Sequence, residues 1–331
     1  MRLENVLALT YGKLINKPFV NNFNDIVFDA KLVKRGDLFI ASDTQTIETA
    51  LLNGAYGIIF DKPAQISDIE IAWIKVENIQ NAVQRLLRFK LIEKEVVVYE
   101  CDEIVLKLAL QVMTGSDFVA VSGAFEDIFG QLWHIEKNAT ILFCPALSGK
   151  EIFTDIKKMP TTLSKRITIM EQTLFETSFI YNDTFYERQL ISPFFIPYLE
   201  ELLNLLSSLK IEYRLKKFTP LEHFQALFTN KKFEIKEFGT SDKVLIFERN
   251  SSLIKKEIEF LQNNASWAKT IYVVPHDCQY KSKENVFEYK NEKDVKSILK
   301  ENDFHFALMV GLDVSILNKP LIKQTQLTID F

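Results

Sequence analysis

Phe28-Asp-Ala-Lys-Leu-Val-Lys-Arg-Gly-Asp-Leu-Phe-Ile-Ala41 is a charged, turn-rich approach to a short apolar run. Residues 37–41, Asp-Leu-Phe-Ile-Ala, read as a short strand. Just beyond, Ile47, Ala50, Leu51 and Gly54 recur at helical spacing after the cap candidate Asp43. Residues 56–60 supply a second strand and, after the turn around Pro63, residues 72–76 a third. Ile79, Ala82, Val83, Leu86 and Leu87 then mark one face of a helix. The alternation predicts a small α/β domain over about 1–90.

Further on, Phe118-Val-Ala-Val-Ser-Gly123 is an apolar run ending in a small polar turn, the way a buried parallel strand enters a helix. Residues 177–181 and 185–190 flank Asn182-Asp183, a predicted hairpin. Leu199, Leu202, Leu203, Leu206 and Leu209 form a helical stripe, flanked by the aromatics Phe194, Phe195, Tyr198, Phe224 and Phe228. Such a cluster reads as core, or as a docking surface wherever it is uncovered. The last ninety residues alternate strand (244–247), helix (253–261), strand (270–274), helix (292–299) and strand (306–310). This predicts a Rossmann-like parallel sheet in a domain 241–331, with the loops after Phe247, Val274 and Val310 at one edge.

The chain has 331 residues, 47% hydrophobic and 25% charged, and no apolar run of the length a membrane-spanning helix needs. Its first residues carry an acid and lack the apolar core and cleavage site of a secretory signal, so a cytoplasmic protein without a transmembrane segment is expected. A net charge of −4 gives no general attraction for phosphate backbones, and no nucleic-acid partner is expected. The three widely spaced cysteines, Cys101, Cys144 and Cys278, fit buried thiols better than disulfides or a metal site. With only 10 glycines, little is available for a phosphate-cradling loop.

The stretch 28–41, the helix carrying Ala50-Leu-Leu-Asn-Gly-Ala55, the strand Gly57-Ile-Ile-Phe-Asp61 and Val76-Glu-Asn-Ile-Gln-Asn-Ala-Val83 together resemble the amino-terminal domain of the Mur ligases. Within that family the likeness is to the branch that adds D-alanyl-D-alanine. It spans roughly 25–90, is local at 118–123, and is architectural from about 175 onward. It implies an α/β multidomain layout: a domain 1–90 for the UDP end of a precursor, a reduced central ATPase-like domain 91–240, and the Rossmann-like 241–331. The chain is shorter than the family norm, and the missing length falls between about 125 and 175.

Each family motif can be set against the chemistry it serves. A phosphate loop needs glycines, a lysine for the phosphate charge and a hydroxyl for magnesium. Here the run is Ser122-Gly-Ala-Phe-Glu-Asp-Ile128, with Glu126 and Asp127 where the family has glycine and lysine. At about 4 Å, each carboxylate–phosphate contact costs several kcal/mol when partly desolvated. Sliding the motif to Gly130 supplies no lysine, and Gly149-Lys150 lacks the upstream glycine. Where the family has an acidic, asparagine-rich substrate loop this chain has Phe247-Glu-Arg-Asn-Ser-Ser252, and where it has Lys-Gly-Ser-Arg this chain has Met309-Val-Gly-Leu-Asp313. The family's interdomain arginine, expected around 220–225, is missing. Phosphoryl transfer depends on positioned cations and donors, so ATP and magnesium binding are expected to be lost, with no cofactor, no metal site and no catalytic residue assigned.

For the nucleotide sugar, the family's Ser-Arg pair after an aspartate corresponds to Asp29-Ala30-Lys31, followed by Ser42, Thr44 and Gln45. Lys31 keeps a charge without the bidentate fork of arginine. His276-Asp277-Cys278 is the one close gathering of reactive types, and a loop after a strand explains it better than a thiol site. The expectation is a non-catalytic Mur-ligase-like scaffold or regulator of cell-wall synthesis with a protein partner and a possible UDP-MurNAc-type ligand. The rivals are a divergent ATP-dependent amide ligase and a UDP-sugar sensor.

Overall fold

The computed structural model describes residues 1–146, 152–160, 164–241, 243–278 and 284–317. They divide into two compact units: the first holds Met1–Leu106, Thr114–Pro160 and Ser207–Tyr213, the second the other described residues. Gly149-Lys150 lies outside the described residues.

The first unit opens with α1 (Leu3–Thr10), β1 (Lys13–Leu14), β2 (Ile26–Val27), β3 (Leu38–Ile40), α2 (Ile47–Leu52), β4 (Gly57–Phe60), β5 (Ala72–Lys75) and α3 (Ile79–Glu93). The strands form a five-stranded sheet ordered β1-β5-β4-β3-β2. It is parallel from β2 to β5, with β1 antiparallel at the edge. The apolar runs are unbroken because alternate residues serve two cores. Leu38, Ile40, Ile59, Ala72 and Ile74 face the core that holds α3, while Phe39, Ile58, Phe60 and Trp73 face the one that holds Ile47 and Ala50 of α2. Asp43 does act as a cap, accepting from the Gln45 N–H at 3.0 Å, but of a single 3₁₀ turn, Thr44–Thr46, ahead of α2.

Asn78 caps α3 by accepting from the Asn81 N–H at 2.8 Å, and Ile79, Ala82, Val83, Leu86, Leu87 and Leu91 are buried. The chain continues through β6 (Val97–Glu100), α4 (Glu103–Ala109), β7 (Val112–Thr114), β8 (Phe118–Val121), α5 (Phe125–Trp133), β9 (Thr140–Phe143) and β10 (Ile156–Lys158), and the α3 core extends to β6, β8, α5, β9 and β10. Here β10-β6-β9-β8 is a four-stranded parallel sheet. Phe129, Leu132 and Trp133 of α5 and Ile141 and Phe143 of β9 belong to the same core as Leu86 and Leu87. One hydrophobic interior therefore joins both sheets through α3.

The second unit contains an antiparallel sheet of β11 (Thr168–Gln172), β12 (Thr177–Tyr181) and β13 (Thr184–Gln189). Asn182 and Asp183 both lie in the left-handed region, at φ 46 and 57, as a tight hairpin turn of mirror-image type requires. Helix α6 (Ile196–Ser208) buries Leu199, Leu202, Leu203 and Leu206 and ends one residue before Leu209. The chain continues through β14 (Tyr213–Leu215), β15 (Gln225–Thr229), β16 (Lys243–Glu248), α7 (Ile254–Asn264), β17 (Thr270–Pro275), β18 (Val286–Tyr289), α8 (Glu292–Glu301) and β19 (Phe306–Val310). The sheet runs β15-β16-β19-β17-β18, with only β15 antiparallel. The two edge strands, β15 and β18, add to the three strands legible in the sequence. Phe194 packs its ring on Phe195, Tyr198, Phe224 and Phe260, so the aromatic cluster is core.

Of the cysteines only Cys144 is buried, and Cys101 and Cys278 are half-buried, so the buried-thiol expectation holds for one of the three. No helix among the described residues is long and apolar enough to cross a membrane.

Candidate functional site

Strand β8 ends at Val121 and α5 begins at Phe125, leaving Ser122-Gly-Ala124 as the strand-to-helix turn. Gly123 has φ +109, and a Cβ there would stand 3.1 Å from Asp127 Oδ2. That carboxylate oxygen accepts a hydrogen bond from the Ala124 N–H at 3.3 Å. A helix start presents unpaired N–H groups and the positive end of the dipole, the combination that binds phosphate. Here the chain's own Asp127 takes that position, with Glu126 beside it in the first turn. The Ser122 carbonyl accepts from Gln131 Nε2 at 3.4 Å, tying the turn to its helix. The buried face of α5, Ile128, Phe129, Leu132 and Trp133, fixes this orientation.

Beside the turn lies a cavity of about 380 Å³ lined by Phe28, Ser42, Asp61, Lys62, Asn78, Ile79, Gln80, Phe125 and Glu126. Ser42 follows β3, Asp61 and Lys62 follow β4, and residues 78–80 start α3, so the cavity sits at the carboxyl edge of parallel strands, where such sheets bind ligands. Lys62 Nζ donates to the Ser42 carbonyl at 3.2 Å. Asp61 Oδ2 accepts from the Ile79 N–H at 3.4 Å, whereas Oδ1 is buried and has no hydrogen-bond partner among the described residues. A buried carboxylate oxygen without a donor is uncommon.

Of the residues put forward for precursor binding, Ser42 lines this cavity. Asp29 accepts from the Lys31 N–H at 2.9 Å to start the turn Ala30–Leu32, and Lys31 is exposed. Thr44 and Gln45 occupy the turn behind Asp43. Asp61, Lys62 and Gln80 were missed by sequence reasoning, although a charged pair directly after an apolar strand is the signal that could have found the first two.

No family model matches the chain, and no curated protein matches it in sequence. In fold it is similar to the crystal structure of MurF from Acinetobacter baumannii, with a TM-score of 0.54 and 9% identity over 93% of this chain and 95% of that one. The fold is Mur-ligase-like. The MurF ligase from Thermotoga maritima, in complex with ADP, gives a TM-score of 0.49 and 12% identity over 88% of this chain and 95% of that one.

At the carboxyl edge of the β15-β16-β19-β17-β18 sheet of this Mur-ligase-like fold, Glu248 ends β16 with no exposed surface. Its Oε1 lies 2.9 Å from His223 Nδ1 and accepts from the Asn250 N–H at 2.6 Å, and its Oε2 accepts from the Phe224 N–H at 3.1 Å. Burial alone would raise the Glu248 pKa. The His223 hydrogen bond and charge and the Asn250 N–H outweigh burial and hold it below the usual value. Glu257, in the first turns of α7, shows the opposite: burial first, then the adjacent Glu248 charge, push it well above. Neither carboxylate oxygen of Glu257 has a hydrogen-bond partner among the described residues.

The 220–225 segment, where the resemblance leads one to look for an arginine, instead supplies this imidazole, and Lys107 pairs with Glu222 at 3.1 Å. The Lys107 hydrogen bond and charge lower the Glu222 pKa. In the 309–313 run, the Gly311 N–H donates to the Glu248 carbonyl at 2.7 Å and Asp313 pairs with Arg249, so these residues bind the sheet edge together. His276 Nδ1 engages Glu288 at 2.6 Å, not Cys278. Among the described residues no group of His, Cys, Asp and Glu is placed to hold a metal ion.

Proposed function

We propose that this chain is a non-catalytic, Mur-ligase-like protein that holds a UDP-MurNAc-type precursor in the first-unit cavity and acts as a scaffold or regulator of cell-wall synthesis. The observation that carries the reading is the Asp127 carboxylate seated on the Ala124 N–H. Catalysis of phosphoryl transfer requires cations and donors around the phosphates, and this turn offers two carboxylates instead. Ligand binding next door is supported by the buried, donorless Asp61 Oδ1, by Lys62 for a phosphate charge and by Ser42 and Gln80 for sugar or base edges.

Thermal denaturation of the full chain with ATP–magnesium, UDP and UDP-MurNAc peptides tests this. A ligand that binds only the folded protein stabilises it by about 2.7 kcal/mol at a hundred times its Kd. Stabilisation by UDP-MurNAc species, lost in Asp61→Ala and Lys62→Ala, is the expected result. Stabilisation by ATP–magnesium, or ATP-dependent amide formation by the pure protein, would overturn the non-catalytic reading. No stabilisation by any of them would remove the precursor and leave a scaffold held by protein contacts.

A further inference from the structure

A second cavity, of about 600 Å³, opens in the second unit at the amino ends of β16 and β19, the edge opposite Glu248. Its floor is buried Val244, Phe228 and Phe306. Its walls are the rings of Phe175, Phe238 and Trp267. The rings stand at steep angles: Phe175 lies 5.9 Å from Phe228 at 81°, and Trp267 lies 6.0 Å from Phe306 at 73°. A flat guest would therefore meet both ring faces and ring edges, the two arrangements aromatic pairs prefer. Trp267 is 73% exposed and Phe238 46%, so large apolar surfaces face solvent at the mouth of a concavity of ordinary ligand-site size.

The polar groups on the rim narrow the class of ligand. Asn264 donates its amide N–H to the Phe260 carbonyl, which leaves its own carbonyl oxygen to accept. His305 Nδ1 accepts from the Lys269 N–H at 2.9 Å, so a neutral ring carries its proton on Nε2 and can donate. Gln172 supplies an amide that does both. Among the described residues, the lining contains no lysine, arginine, aspartate or glutamate. A phosphate, a carboxylate or an ammonium group would lose its hydration there without a counter-charge.

We propose that this cavity binds an uncharged planar nitrogen heterocycle of the nucleobase type, stacked on Trp267 and hydrogen-bonded at its edge by Asn264, His305 and Gln172. Its residues all belong to the second unit, so the site is separate from the precursor cavity around Asp61 and does not depend on that reading.

The chain has three tryptophans, and Trp73 and Trp133 are buried, so Trp267 dominates the solvent-exposed part of the emission. The experiment titrates uridine, adenosine and inosine, which lack phosphate, into the full chain, with calorimetry and tryptophan fluorescence read together. At least one should give saturable heat with quenching of the exposed emission. Trp267→Ala and Phe238→Ala should each weaken binding about tenfold, while Trp267→Phe, which keeps a stacking face, largely preserves it. Circular dichroism of each variant separates loss of the site from loss of the fold. Three results would overturn the proposal. One is no saturable heat with any of the nucleosides; the second is binding lost in Asp61→Ala but unchanged in Trp267→Ala. The third is an emission that shifts with protein concentration alone as sedimentation reports a dimer, which would give the pocket to a second copy of the chain.

Discussion

Glu257 and Glu248 are buried together with opposite displacements of their pKa values, and the signs give opposite pH dependences. A raised folded-state pKa means that the contribution of Glu257 is complete below the ordinary value of 4.5 and is lost as pH rises through the folded pKa; the lowered Glu248 contributes above 4.5 and is lost as pH falls. Glu257→Gln keeps the shape and removes the ionisation. It should leave stability unchanged in acid and raise it progressively above the carboxylate range, by about 1.4 kcal/mol for each unit by which the native pKa is raised. Denaturant midpoints of both proteins across a pH series check this. At the start of α5, Asp127→Ala should lower stability by about 1 kcal/mol through loss of the cap, read from the same midpoints. The acids Glu126 and Asp127, directly after the run 118–123, were visible in the sequence. The His223 contact was not, because it joins residues 25 apart that no local pattern links. Glu257 did leave a trace, an acid inside the apolar stripe Ile254, Ile258 and Leu261.

Helix α3 is the element on which the first unit turns. Leu86 and Leu87 are fully buried in a core that also takes residues from β3, β5, α5 and β9. Leu86→Ala should destabilise by about 2–5 kcal/mol, and amide exchange should quicken in β3–β5 and in β8–β9 together, since one cavity touches both sheets. Acceleration confined to one sheet would show that the core is divided. The helix itself was readable from its spacing, as were β3, β4 and β5 before it, because burial on both faces leaves uninterrupted apolar runs. That the same helix also serves the next sheet was not readable, since periodicity reports that a face is buried and not by what. β15 escaped for a related reason: Ala226 to Phe228 looks like part of the aromatic cluster until its pairing with β16 is seen.

At the scale of the whole molecule, a fragment ending at residue 90 would carry the β1–β5 sheet and α3 without the α5 and β9 residues that share the core of Leu86 and Leu87. Burying a leucine side chain contributes about 1.5–3 kcal/mol, so that fragment should be far less stable than the full chain, with dye-detected apolar surface and low solubility; a monomeric fragment with a sharp thermal transition would contradict the shared core. The path of the backbone adds a further constraint. Residues 107–113 belong to the second unit and residues 207–213 to the first, so neither unit is one continuous stretch. Domains commonly fold in order as the ribosome releases them. This chain cannot complete its first unit until residue 213 of 331 has left the exit tunnel. A single cut in the coding sequence therefore releases neither unit whole.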